Sequence, residues 1–126
     1  MRILLVEPGK EPALKEIDGS LKSMQEIVGG TIQALYPFEE PVALICNDEG
    51  KLLGLPLNRA LRDAEGQIYD IVAGTFFLCG APEGGDSFEN LSEDQIRIFS
   101  TRYVWTEHFI RLNEDIICLY DDSTVL

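Results

Sequence analysis

Short apolar runs alternate along the chain with clusters of glycine, proline and acidic residues, a pattern typical of a domain that mixes strands with short helices. The Pro8-Gly9 turn predicts that the first two apolar runs pair as a hairpin. Gly74 interrupts the longest run and predicts a break or bulge there. The runs that predict strands lie at residues 2–7, 13–17, 31–36, 42–46, 68–79 and 116–120.

A first, short helix is predicted after Ser20, which offers an N-cap. Leu21, Met24 and Ile27 follow at helical spacing and would form one apolar face. Gly29 can adopt the left-handed conformation that commonly ends a helix.

A second, longer helix is predicted from the capping box that Ser92 forms with Gln95. If the helix continues downstream, its apolar residues fall on two nearly opposite faces. A single straight helix would therefore be apolar on both sides. A break within residues 104–106 resolves the conflict, with Thr106 capping a second short helix. The alternative is one straight helix whose second apolar face meets a partner.

The middle of the chain carries a buried-strand pattern at residues 42–46, followed by a polar turn at residues 47–50. We interpret this turn as a hairpin, with Gly50 supplying a positive φ and residues 51–53 returning along the first strand. Residues 57–61 are predicted to form a helical turn.

These elements predict an α+β fold: a mixed, largely antiparallel sheet with a short N-terminal helix and a longer C-terminal helix packed on it. The length of 126 residues predicts a single domain, 1–126, with its core in residues 2–112 and an acidic C-terminal strand and tail in residues 113–126. The chain has no apolar run long enough to span a bilayer, and its N-terminal run is too short for a signal peptide. We therefore expect a cytoplasmic protein.

The net charge of −12 is the strongest feature of the composition. Residues 1–82 hold 7 basic and 12 acidic residues, and residues 83–126 hold 3 and 10, so the shorter C-terminal part is the more acidic. Such a charge repels nucleic acid and anionic membranes at long range. It is compatible with a basic host protein as partner, with mimicry of DNA, or with solubility alone.

Catalytic and metal-binding patterns are weak. His108 is the single histidine and has no nucleophile or metal ligand at a suitable spacing. The glycine-rich segment at residues 80–86 lacks a lysine and carries two acids that would repel phosphate. Cys46, Cys79 and Cys118 are far apart, which favours buried thiols over disulfides or a zinc site. We predict no catalytic residue, no metal site and no cofactor.

Asn58, Arg59 and Arg62 are the strongest candidates for a binding site. If the segment is helical, Asn58 is its N-cap and the two arginines share one face. They would pair with Asp48, Asp63 or Asp70 in a structural role. The alternative is an anchor for an anion or carboxylate of a ligand or partner, with Asp48 at the rim.

Several glycine- and asparagine-containing motifs resemble those of a family of small bacterial and phage proteins catalogued as domain of unknown function 3846. The resemblance covers residues 2–80 well and the helix at residues 91–99 more loosely. It implies a small cytoplasmic protein of the kind carried on phages, plasmids and integrated mobile elements, and it brings no activity or catalytic residue with it. The motifs are Val6-Glu7-Pro8-Gly9-Lys10, Glu16-Ile17-Asp18-Gly19-Ser20-Leu21, Val28-Gly29-Gly30, Cys46-Asn47-Asp48-Glu49-Gly50 and Gly54-Leu55-Pro56-Leu57-Asn58-Arg59.

The leading hypothesis is therefore a non-enzymatic accessory protein of a mobile element that binds another protein, with an acidic DNA mimic as one version. The alternative is a small-ligand or nucleotide-binding module that uses Asn58, Arg59 and Arg62. An enzyme would need His108 or a carboxylate pair inside a cleft. The sequence leaves the oligomeric state open.

Overall fold

A computed structural model describes residues 1–121 of the chain, except for the side chain of Asp121. The predicted acidic tail lies outside the described residues from residue 122 onward. The N-terminal elements are β1 (Arg2–Val6), β2 (Ala13–Glu16), α1 (Leu21–Val28), β3 (Ile32–Leu35) and β4 (Val42–Asn47). The remaining elements are β5 (Leu57–Arg62), β6 (Ile68–Ala73), β7 (Phe76–Gly80), α2 (Glu93–Arg102), β8 (Thr106–Leu112) and β9 (Asp115–Asp121).

Five strands form a central antiparallel sheet in the order β2-β1-β7-β4-β3. The predicted hairpin of the first two strands is confirmed, with Arg2 opposite Glu16. Two further antiparallel pairs, β5–β6 and β8–β9, stand apart from this sheet. The α+β class predicted from the sequence is confirmed.

The central sheet is covered on both faces, which explains why every residue of β4 is buried. One face carries Ile3, Ile45 and Phe77 and packs against Met24 and Val28 of α1. The other face packs against α2 and the β5–β6 hairpin. Its buried cluster consists of Leu4, Val6, Val42, Leu44, Cys46, Leu61, Val72, Phe76, Leu78, Leu91, Phe99 and Tyr103.

Both predicted helix starts are confirmed by their caps. The Ser20 hydroxyl accepts a hydrogen bond from the Ser23 N–H at 3.1 Å, and α1 ends at Gly29 with φ 79°. In α2, Ser92 Oγ accepts from the Gln95 N–H at 3.1 Å, while Gln95 Oε1 accepts from the Ser92 N–H at 3.0 Å. The two helix starts could be predicted from the sequence because each cap depends only on residues within one helical turn.

The predictions for the middle of the chain were partly wrong. β4 pairs with β3 and β7 and not with residues 51–53, which form a turn. Gly50 does not have a positive φ; it is required because a Cβ there would lie 2.6 Å from the Ala73 carbonyl oxygen. The predicted helical turn at residues 57–61 is instead strand β5, whereas the predicted break at Gly74, with φ 87°, is confirmed.

The predicted break within residues 104–106 is also confirmed, but a strand follows it and not a second helix. β8 pairs with β9 in a regular register that runs from Thr106 opposite Asp121 to Leu112 opposite Asp115. The straight-helix alternative is wrong for the same reason. β8 lies beside β5, so the β8–β9 hairpin extends the layer formed by β5 and β6.

Neither described helix is long and apolar enough to cross a membrane.

Candidate functional site

Asn58 is completely buried and joins three segments of backbone. Its Nδ2 donates to the carbonyls of Val6 and Gly74, each at 2.9 Å, and its Oδ1 accepts from Arg59 Nη1 at 2.8 Å. The side chain therefore holds the end of β1 and the break before β7 against β5. The prediction that Asn58 caps a helix was wrong, because the segment is a strand.

Arg59 is only 1% exposed, although it carries a charge. Its Nη2 donates to the carbonyls of Lys10 and Tyr103 at 2.8 and 2.9 Å, so it ties the β1–β2 turn to the end of α2. Burial lowers the pKa of the guanidinium, while the nearby Glu107 opposes the shift. Within the described structure, the buried Arg59 Nε has no hydrogen-bond partner.

Glu107 connects the β8–β9 hairpin to β5. Its Oε2 accepts the backbone N–H of Ala60 at 2.7 Å, and its Oε1 forms an ion pair with Arg62. Burial acts to lower the pKa of Arg62, but the hydrogen bond and charge of Glu107 outweigh it and raise that pKa. The Arg62 guanidinium also lies over the Tyr120 ring, 4.9 Å from its centroid.

Arg59, Arg62 and Glu107 line a cavity of about 140 Å³ between β5, the end of α2 and the hairpin, which we call the arginine cavity. A third arginine, Arg102, also lines it, while pairing with Glu40 at 2.9 Å and lying over the Phe99 ring. The complete lining is Arg59, Ala60, Arg62, Arg102, Tyr103, Trp105, Glu107 and Tyr120.

Asp48 lies elsewhere. It lines a different cavity, of about 130 Å³, together with Lys51 and Asp70, which form an ion pair with each other. The predicted pairing of the arginines with Asp48, Asp63 or Asp70 was wrong, because Arg62 pairs with Glu107 and Arg59 donates to backbone carbonyls and Asn58.

The two arginines also do not share a helical face. They lie on a strand, and an irregular register separates Leu61 from Arg62. Arg59 and Arg62 nevertheless line the same cavity. Asn58 is adjacent to them but does not line the cavity.

Sequence reasoning missed Arg102, Trp105, Glu107 and Tyr120. The sequence carries one usable signal: Glu107 lies among aromatic residues, between Trp105 and Phe109, where an acid is expected to need a buried partner. The identity of that partner depends on the β5–β8 contact, which links residues more than 40 positions apart and leaves no local pattern.

The other candidate groups lie apart from this cavity. His108 is exposed on β8 opposite Leu119. Burial raises the pKa of the Cys46 thiol to about 11 and that of Cys79 to about 12. In the described part of the chain, no three potential metal ligands converge.

The family model described as Domain of unknown function (DUF3846) matches residues 1–104. The chain belongs to this family. No curated protein and no solved structure matches the chain. The DUF3846 match includes Asn58, Arg59, Arg62 and Arg102, but it ends before the β8–β9 hairpin begins at Thr106.

The hairpin beyond the DUF3846 match has two different faces, because residues directly opposed in an antiparallel pair project to the same side. The inner face carries Glu107, Tyr120 and the half-buried Phe109 toward β5. The opposite side carries Ile110, Leu112, Ile117 and Leu119, each 39–55% exposed, together with His108 and Asp115. We call the four aliphatic side chains the outer apolar face. A cluster of four aliphatic side chains on the open side of a two-stranded hairpin is unusual for a monomer.

Proposed function

We propose that the protein is a non-enzymatic binding module that attaches to a basic protein partner through the outer apolar face. The single observation that carries this proposal is the clustering of Ile110, Leu112, Ile117 and Leu119 on one open side of the hairpin. Apolar side chains scattered over a surface need no explanation, but a contiguous group marks interaction sites.

The anchoring of the hairpin supports this assignment. A two-stranded hairpin alone is marginally stable, so its inner face must be held by the rest of the domain. Glu107 supplies that anchor through Ala60 and Arg62. The outer apolar face is thus presented on a fixed support, which lowers the entropic cost of binding.

The charge of the chain favours a basic partner over a second copy. Two molecules that each carry a net charge of −12 repel one another as they approach, whereas a cationic protein is attracted. We therefore expect the partner to present an apolar segment flanked by lysine or arginine.

The DNA-mimic version has less support than binding through the hairpin. A mimic needs acids spaced along one surface, but acidic residues here include Glu16 on an edge strand, Glu26 on α1 and Glu93 on α2. The two helices cover opposite faces of the central sheet. This version predicts capture of a DNA-binding protein independently of the outer apolar face.

The cytoplasmic location and the mobile-element context, which the resemblance implies, remain parts of this proposal. The three cysteines are free thiols, which is the usual state in a reducing compartment.

The test compares tagged wild-type protein with the double variant Ile110→Ser/Leu119→Ser in quantitative co-purification from the native host. We expect at least one basic protein to be depleted on the order of tenfold with the double variant. Leu52→Ser is the matched control, because Leu52 is also an exposed aliphatic residue but lies in the turn after β4. The control should retain the partner.

The captured protein is then purified, and its binding is measured at increasing salt. Affinity should fall with salt if charge attracts the two proteins. Equal capture by the wild type and the double variant would reject the outer apolar face. A wild-type dimer in light scattering that the double variant abolishes would replace the basic partner with a second copy.

A further inference from the structure

We propose that the arginine cavity binds the phosphate or carboxylate group of a small molecule. This site lies on the inner side of the hairpin and is independent of the outer apolar face. The observation that carries it is the convergence of Arg59, Arg62 and Arg102 on one partly open cavity in a strongly acidic protein.

The lining is positively charged even after internal pairing is considered. Three arginines line the cavity, whereas Glu107 is the single carboxylate among its lining residues. Glu40 neutralises Arg102 from outside the lining. The described groups therefore leave an excess of one positive charge, which an oxyanion would balance.

Arg59 gives the site a fixed positive charge. Its terminal nitrogens are fixed by Asn58, Lys10 and Tyr103, so the guanidinium is held in place before any ligand arrives. Its Nε is buried and has no partner among the described residues. Because these nitrogens are either engaged or buried, Arg59 contributes its positive charge to the cavity and not a free donor.

The shape and composition of the cavity limit the ligand. A volume of about 140 Å³ accommodates an oxyanion group and little more. Trp105, which is 37% exposed, and the exposed Tyr120 lie at the same cavity and offer ring surfaces to a planar body attached to that group. The arginine forks suit the planar or tetrahedral oxygens of carboxylate and phosphate.

A small anion fits the chain better than nucleic acid. The net charge of −12 opposes approach of a polyanion along an extended surface, while a single oxyanion meets the local excess of positive charge. Asn58 is not part of this site, because its side-chain amide is engaged by Val6, Gly74 and Arg59.

Trp105 is the single tryptophan of the chain, so its fluorescence reports on the cavity directly. Inorganic phosphate, phenyl phosphate and benzoate are titrated into the protein at constant ionic strength, with chloride as the reference anion. We expect a saturable change with a Kd of about 1 mM or lower for at least one probe. A tighter Kd for phenyl phosphate than for inorganic phosphate would show that the aromatic residues contact the ligand body.

Two variants should change the affinity in opposite directions. Arg62→Gln removes a charged donor and should weaken binding on the order of tenfold. Glu107→Gln keeps an acceptor for the Ala60 N–H but removes the competing carboxylate, so it should strengthen binding several-fold. Arg97→Gln is the control, because Arg97 is exposed on α2 and pairs with Asp94 away from the cavity.

Arg102→Gln provides a second test if Arg62→Gln fails to fold, and it should also weaken binding. Far-UV circular dichroism establishes that each variant is folded. The proposal is overturned if no probe gives a saturable signal by about 10 mM. It is equally overturned if the arginine variants bind as the wild type does, since a purely structural role for these arginines predicts unchanged affinity.

Discussion

Glu107 accepts the backbone N–H of Ala60 at 2.7 Å and so joins the hairpin beyond the family match to a strand inside it. The same carboxylate pairs with Arg62, and its side chain is almost fully buried. One side chain therefore supplies the polar connection between β5 and β8.

Replacing this carboxylate should loosen the hairpin. Glu107→Ala leaves the Ala60 N–H and Arg62 without their acceptor, and we expect a loss of about 2–3 kcal/mol in the free energy of unfolding. Glu107→Gln should cost less, because it retains an acceptor. Urea denaturation measures both, and a loss below about 0.5 kcal/mol for the alanine variant would contradict the anchoring role.

Asn58 should contribute strongly to stability. Asn58→Leu keeps a similar volume but leaves the Val6 and Gly74 carbonyls and an Arg59 donor without a partner, so the expected loss is about 3 kcal/mol. Asn90→Leu is the comparison, because the Asn90 side-chain oxygen accepts one exposed hydrogen bond, from the Arg2 N–H. Its loss should be about 1 kcal/mol by the same denaturation measurement. Equal losses of unfolding free energy in the two variants would show that the buried hydrogen bonds of Asn58 stabilise the fold no more than the exposed one of Asn90.

Gly50→Ala tests a close approach of two backbone segments. The added Cβ would meet the Ala73 carbonyl oxygen at 2.6 Å, which forces the β4 turn away from β6 and should cost about 2 kcal/mol. Gly66→Ala isolates the conformational cost, because Gly66 has φ 80° and open space around its Cβ position. Its cost should be about 1 kcal/mol. Thermal unfolding of the two variants distinguishes steric from conformational strain.

Asp18 should make folding sensitive to acid. Hydrogen bonds from the Ser20 side chain, the Ser20 backbone and Ser23 lower its pKa from 3.8 to about 2. The folded state thus favours the carboxylate, so this stabilisation is complete above about pH 5 and is lost as pH falls through about 2. NMR titration should give the low pKa directly. The stability difference between wild type and Asp18→Asn should shrink across this window, and a constant difference would contradict the assignment.

The three thiols should react at different rates. Burial raises the pKa of Cys46 to about 11 and of Cys79 to about 12, so neither supplies thiolate near neutral pH. Cys118 is partly exposed, although burial also raises its pKa. A thiol reagent should label Cys118 first in the folded protein and all three after denaturation. Labelling of Cys79 before Cys118 would be the contrary result.

The sequence predicted those parts of the structure whose causes are local. Ser20, Ser92 and Gly74 act on their own neighbours, and their effects were predicted correctly. Residues 57–61 were predicted as a helical turn and form strand β5, because their pairing with β6 and their packing on the central sheet depend on residues distant in the sequence.

The second helix after Thr106 was wrong for a related reason. Ile110 and Leu112 alternate as strand residues should, but Phe109 adds an apolar residue on the other face and hides the alternation. Only some of the residues that line the arginine cavity could be predicted from the sequence. Arg59 and Arg62 were predicted as candidates for a binding site, whereas Arg102 and Glu107 join them through contacts between distant segments.

The hydrogen bonds of Asn58 and Arg59 have a consequence for the folding pathway. They connect residue 58 with residue 6 and residue 59 with residues 10 and 103, so each closes a long loop of chain. Long-range closures are entropically expensive and form after local hairpins and helices. We expect these two side chains to have low φ-values and to slow unfolding more than they speed folding. These hydrogen bonds therefore form late in folding, and they increase the kinetic stability of the native state.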